Sequence, residues 1–215
     1  MPGLYRTAEE KRHLETRNGA IQFLAVLAYI DEWQGQPKLT LGVLEELQRL
    51  AVNQIYTCAG QFRDGAVQIA GVDHQPPDHT AVRTLIEEMC GYVHDRWDSA
   101  TAVHLAAFVM WRLNWIHPFF GGNGRTSRAA SYLVLCAKLG FKVPGSPTIP
   151  ELIDTTSRDA YYSALQAADR SWSATGEPDL REMESLLESL LAAQLLSVYR
   201  QATGGHQQEP IPPTG

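Results

Sequence analysis

A chain of 215 residues with 44% apolar residues and a formal net charge of -6 is long enough to bury one substantial core; it is neither polar enough to stay unfolded nor basic enough to bind nucleic-acid phosphates without sequence preference. Its cysteines, Cys58, Cys90 and Cys136, form no C-x-x-C pair, which argues against zinc or a redox dithiol and for buried reduced thiols. The N-terminal "MPGLYRTAEEKRHLE" lacks the apolar core of a signal peptide and no segment is apolar for long enough to span a bilayer, so a cytoplasmic protein with neither membrane nor nucleic-acid partners is expected, although a chain injected into a host by a dedicated secretion machine would read the same.

Apolar residues recur at helical spacing through most of the chain: Leu24, Leu27, Tyr29 and Ile30; then Leu44, Leu47, Leu50 and Ile55; then Val82, Leu85, Ile86, Met89, Val93 and Trp97. An all-α helical bundle is expected. The segment "QFRDGAVQIAG", 61–71, breaks the pattern, because Asp64-Gly65 between two extended runs is a dipeptide favoured by two-residue hairpin turns. From the pattern alone this small β-hairpin reads as a connector packed on the helices. "DHQPPDHT" then forces a loop, since its prolines continue neither strand nor helix, and His74 and His79 within it read as solvated.

A buried helix is expected from His104 to Trp115, ended by Pro118, and a second from Arg125 to Leu139. Trp97, Trp111 and Trp115 fit core packing at helical spacing better than a base-stacking platform. Capping boxes are expected at Thr148 with Glu151 and at Asp179 with Glu182, the latter opening a long C-terminal helix through Leu180 to Val198. Residues 1–17 read as an N-terminal extension, 18–200 as one domain, and 201–215, ending "PIPPTG", as a mobile tail.

Chemistry concentrates in "WIHPFFGGNGRTSR", residues 115–128. His117 falls at a helix C-terminus, directly before the proline. Gly121, Gly122, Asn123 and Gly124 form a turn at the start of the next helix, where unpaired N–H groups and the positive end of the helix dipole suit an anion. Arg125 and Arg128 add donors that favour phosphate oxygens, although their position opposes the dipole. No carboxylate lies between Asp98 and Glu151, so any ion-pair partner must come from elsewhere in the fold. His117 would add a base near neutral pH, with the helix end stabilising the imidazolium as it forms. The residues alone leave two readings open: a phosphate site with a base, or a capped helix, a glycine turn and solvated arginines.

The stretch resembles the motif of the Fic (filamentation induced by cAMP) family, H-P-F-x-D/E-G-N-G-R-x-x-R, matching at His117, Pro118, Phe119, Gly122, Asn123, Gly124, Arg125 and Arg128. "AGQFRDGAVQIAGVDHQPPDHTAV" is similar to the family's flap and following loop, and "SRDAYYSALQAAD" to the segment after its core, so the resemblance covers roughly Asn18 to Tyr199. It implies a helical core that transfers a nucleoside monophosphate, AMP from ATP foremost, to a hydroxyl of a target protein. It further implies His117 and Arg125 as catalytic residues, with His117 the base and Arg125 neutralising the leaving pyrophosphate. Phosphates would be held by Gly122, Asn123, Gly124, Arg125 and Arg128, and Phe119 would anchor the loop. Phe62, Arg63, Val67, Gln68 and Ile69 of the flap would pair with an extended segment of the target.

One departure matters. Gly121 stands where the motif has Asp or Glu, the residue that would hold Mg2+, so no protein metal ligand is expected there and the use of Mg2+ is open. A carboxylate such as Asp73 or Asp78 replaces it, or transfer depends little on metal, or the domain is a degenerate module that binds nucleotide or protein without AMP transfer or moves a different phosphate-containing group. The inhibitory helix found in many family members, (S/T)-x-x-x-E-(G/N), has no match, so restraint would come from a separate inhibitory protein or be absent.

Overall fold

A computed structural model of the chain describes residues 3–69, 71 and 74–204. Among these residues every regular element is helical: α1 (Ala8–Trp33), α2 (Leu41–Val52), a 3-10 turn (His79–Ala81), α3 (Val82–Asp95), α4 (Ala102–Ile116), α5 (Asn123–Leu139), α6 (Ile149–Thr155), α7 (Arg158–Thr175) and α8 (Arg181–Ala202). None of the described helices is long and apolar enough to cross a membrane. The expected all-α class holds.

The fold is built around α4 and α5, which pack on each other more extensively than any other pair. Each is buried almost all round, Leu105–Leu113 on α4 and Ala129–Ala137 on α5, because small residues (Ala106, Ala107, Ala129, Ala130) let the two backbones approach while Trp111, Leu113 and Leu133 fill the space between neighbours. The other helices are amphipathic and wrap this pair. The long α1 runs unbroken across the boundary expected after residue 17. It buries Asn18, Gln22, Val26, Ile30 and Trp33, a stripe at intervals of three to four residues. Leu24, one of the apolar residues at helical spacing, is 65% exposed, because that stripe leaves it on the opposite face. The buried amides have partners: Asn18 Nδ2 donates to the Asn53 carbonyl and Gln22 Nε2 to that of Leu47. They fasten α1 along α2.

Helix starts follow local chemistry where no tertiary competitor intrudes. Thr7, Thr40 and Thr101 accept hydrogen bonds from the third residue beyond them, and Thr148 forms the expected box with Glu151. The box expected at Asp179 does not form. Leu180 occupies the cap position of α8, while the Asp179 carboxylate accepts from the backbone and guanidinium of Arg181, which hold it down to a pKa of about 2.

The hairpin also differs from expectation. Residues 61–69 run extended around a bend at Asp64-Gly65, but no strand pairing forms among them. The reason is Arg63, only 3% exposed: its backbone N–H donates to the Pro118 carbonyl rather than across a hairpin, and its guanidinium is drawn inward. The segment is held by the α4–α5 turn instead of by itself.

Candidate functional site

His117 ends α4 in the left-handed conformation, φ 49° and ψ 58°, with its N–H returned to the Leu113 carbonyl. A residue with a Cβ pays for this region with strain, of order 1–3 kcal/mol, so the position is held by its surroundings. Arg63 supplies much of the hold. Its Nε donates to the His117 carbonyl at 2.9 Å, Nη2 to those of Ile116 and Pro77, and Nη1 to Gly65, placing a buried cation on carbonyls that the end of α4 leaves unpaired.

The His117 imidazole is largely buried, and desolvation pushes its pKa down to about 4, aided by the nearby charges of Arg63 and His74. The Asn114 carbonyl pulls the other way, yet among the described residues Nδ1 has no hydrogen-bond partner. Burial therefore outweighs the helix-end stabilisation expected from sequence, and the ring is neutral, a base rather than an acid, at pH 7.

The glycine turn is shaped by contacts with α2. Gly122 lies at φ 80°, where a Cβ would also stand 2.6 Å from Val52 Cγ1, so glycine is required twice over. The Gly121 carbonyl accepts from Gln48 Nε2 at 3.0 Å, and a Cβ on Gly121 would come within 2.7 Å of the Tyr56 ring. Tyr56 thus occupies the space an acidic side chain would need. Asn123 is buried and directed back into the loop, with Oδ1 accepting from the Phe119 N–H and Nδ2 donating to the Phe119 carbonyl. Its carboxamide shapes the cradle from behind, and Phe119, fully buried against Phe62, anchors it. The first turn of α5 has no side-chain cap, so its N–H groups remain for a ligand.

Both arginines find carboxylates from distant elements. Arg125 Nη1 donates to the Ala51 carbonyl and Nη2 lies 3.5 Å from Glu15 of α1; Arg128 Nη2 lies 3.2 Å from Asp154 of α6. Arg128 also crosses the cradle, with Nη1 3.3 Å from where a Gly124 Cβ would be. No cluster of His, Cys, Asp and Glu suited to a metal occurs among the described residues. Asp73 lies outside them. Asp78 caps the 3-10 turn through Thr80, whose N–H and hydroxyl both donate to its carboxylate. The donors here do not make a Mg2+ site of their own.

His117 faces a cavity of about 660 Å3 whose walls are Trp115, Tyr162, Leu165 and Ile69, with Asp169 and Gln166 as polar edges. Asp169 accepts from Trp111 Nε1 at 2.8 Å, and burial raises its pKa. At the cavity wall Asn114 Nδ2 lies 2.7 Å from the Met110 carbonyl and 2.8 Å from both the Ser127 and Tyr161 hydroxyls, three oxygens for its two N–H groups, joining α4, α5 and α7. His74 is not the solvated residue expected: its ring lies tilted against Trp115, with centroids 5.6 Å apart, and its Nε2 lies 2.7 Å from the Trp115 carbonyl. Trp97 and Trp111 are core as expected, whereas Trp115 is shared between core and cavity. Of the flap residues, Phe62 and Arg63 turn inward, Ile69 lines the cavity, Val67 is half-buried and Gln68 is exposed.

A model of the Fic/DOC family matches residues 38–135. The protein adenylyltransferase Fic of Drosophila willistoni is 27% identical over 167 residues, which are 76% of this chain and 32% of that protein, so the chain spans about a third of the length of that curated relative. A Fic domain containing signaling protein from Bacteroides thetaiotaomicron has the same fold, with a TM-score of 0.69 at 20% identity, over 91% of this chain and 76% of that one. The BepC effector of Bartonella tribocorum, whose structure holds AMPPNP, aligns with a TM-score of 0.54 at 15% identity, over 81% of this chain and 86% of that one. His117, the glycine cradle and both arginines, assembled at one α4–α5 junction, all fall within the residues that match the Fic/DOC family model, and the fold is the one seen in solved Fic proteins.

Proposed function

We propose that this domain transfers a nucleoside monophosphate, AMP from ATP, to a hydroxyl side chain of a target protein. The observation that carries the reading is His117: a neutral, desolvated imidazole beside a helix N-terminus with two arginines, opening on a cavity of a size that suits a small ligand. The curated relatives' name, protein adenylyltransferase, and the AMPPNP in BepC support the choice of nucleotide. In the proposed reaction the base lies between Trp115 and Tyr162, and the phosphates lie on the free N–H groups of the first turn of α5. His117 takes the proton from the target hydroxyl as its oxygen bonds to the α-phosphorus. The bond from that phosphorus to the bridging oxygen breaks, and pyrophosphate leaves toward Arg125 and Arg128. Val67 and Gln68 are the flap positions left to meet a target.

Incubation with α-labelled ATP and an extract should transfer label to a protein, identified by an added mass of one AMP. His117→Ala should reduce transfer by about 10²–10⁴-fold. Labelling undiminished in that variant sinks the reading. The Tyr56 ring over Gly121 favours a second reading, a degenerate module that binds nucleotide without transferring it. It prevails if calorimetry detects ATP binding while no nucleotide supports transfer with Mg2+ or Mn2+.

A further inference from the structure

The Trp115 ring that walls the His117 cavity carries on it the guanidinium of Arg112, 4.5 Å from the ring centroid, and Trp172 covers the guanidinium as well, at 4.6 Å. Arg112 is 6% exposed, yet its neutralisation is poor. Among the described residues its Nη1 is buried without a hydrogen-bond partner, and Nη2 has Glu88 at 3.9 Å, a carboxylate that is itself 60% exposed. Indole rings over a guanidinium satisfy its faces and do nothing for the N–H donors, which lie in its plane. A buried cation in this condition is incomplete.

Arg112 lines a second cavity, about 440 Å3, between α3, α4 and the turn from α7 to α8. Met89, Phe108, Pro178 and Leu180 give it apolar walls. Tyr92 stacks on Phe108 and is fixed by a hydrogen bond from its hydroxyl to His104 Nε2, at 2.8 Å, while His104 Nδ1 lies 2.6 Å from Glu184. That chain of contacts holds the walls in place and leaves Arg112 as the group short of a partner. Glu88 and Glu177 stand around the opening, with Arg96 as a further cation.

We propose that this cavity binds a small monocarboxylate with an apolar body, the carboxylate pairing in plane with the Arg112 guanidinium in place of Glu88. A planar carboxylate matches the edge of a guanidinium whose faces are covered. Glu88 and Glu177 would repel a multiply charged phosphate. The site lies outside the His117 cavity and does not rest on the transfer reading.

Trp111, Trp115 and Trp172 surround Arg112, so intrinsic fluorescence reports occupancy directly. The protein should show a saturable change with benzoate, and little with benzylamine, which has the same apolar ring and the opposite charge, or with inorganic phosphate. Arg112→Lys, which keeps charge and loses the planar fork, should weaken benzoate at least about tenfold. Glu88→Gln, an exposed substitution that leaves the stack intact, should tighten benzoate about threefold or more by removing the competing carboxylate. An unchanged benzoate affinity in Glu88→Gln overturns the proposal even if the lysine variant does not fold. So does an equal response to benzylamine, or tighter binding of phosphate than of benzoate.

Discussion

The contact between Gly121 and Tyr56 can be isolated by substitution. A Cβ at Gly121 would stand 2.7 Å from Tyr56 Cε2, 3.3 Å from Cδ2 and 3.4 Å from Cζ. Gly121 is not among the glycines of positive φ, so alanine there meets no backbone strain and the clash is the whole penalty. Tyr56 packs on Ala51, Val52 and Ile55, and displacing its ring is an overpacking event of about 1–3 kcal/mol. For a chain of this size that lowers Tm by about 2–12 °C. Once the ring is removed by Tyr56→Ala, the same Gly121→Ala change should be neutral or stabilising by about 0.4–1 kcal/mol, because alanine restricts the unfolded chain. A double-mutant cycle by urea unfolding should therefore give a coupling of about 1–3 kcal/mol between the two positions, with a change of sign in the effect of alanine. Coupling below about 0.5 kcal/mol, the scatter expected of independent sites, refutes the argument. The same contact bears on metal use: Gly121→Asp should stimulate Mg2+-dependent transfer only when combined with Tyr56→Ala.

Three further outcomes follow from the site. The folded His117 pKa of about 4 lies below the ordinary 6.5, so between these values the native state binds fewer protons than the unfolded one. Its contribution to stability is complete above about pH 6.5 and is lost as the pH falls through 4; His117→Gln should flatten that part of a pH series of urea midpoints, and an unchanged slope contradicts the burial. Asn123→Ala strands the N–H and carbonyl of Phe119 inside the loop and should cost about 2 kcal/mol or more by chemical denaturation, whereas a surface-like loss below about 0.5 kcal/mol denies it the bracing role. Arg63→Met removes the cation from the carbonyls of Ile116 and His117 and should destabilise by about 3 kcal/mol or more, with faster hydrogen exchange at the end of α4; exchange unaltered there argues against the link.

Features fixed within a few residues were legible in the sequence. Periodicity placed α3, α4 and α5 to within a turn, Thr148 with Glu151 announced its box, and Pro118 put His117 at a helix end. What failed depended on partners far along the chain. An arginine beside Asp64-Gly65 reads as an exposed hairpin residue, and the carbonyls at the end of α4, more than fifty residues on, together with those of Gly65 and Pro77, draw it inside. His74 gave no signal because its partner is a backbone carbonyl, which every residue possesses. Asn114 could have been noticed as an amide on a largely apolar helix. Gly121 was recognised as a lost acid, but that a tyrosine fills the space was not, since nothing in the spacing of Tyr56 points there.

The arginines tie these points together. Their placement at a helix N-terminus, without local carboxylates, called for an anionic partner, and the fold provides two, from α1 and α6, both beyond residues 38–135. Neither pair is strong. Asp154 is 51% exposed and shared with Arg158, and Glu15 reaches Arg125 only at 3.5 Å while half-buried. Ion pairs of this kind contribute about 0–1 kcal/mol each. They orient the guanidinium groups without committing them, so a polyphosphate, with more charge and a closer approach along the free N–H groups of α5, would displace either carboxylate at little cost. By contrast the Asn123 and Arg63 hydrogen bonds are buried and expensive to break. The site thus divides into a rigid frame, which fixes His117 and the cradle, and exchangeable charges.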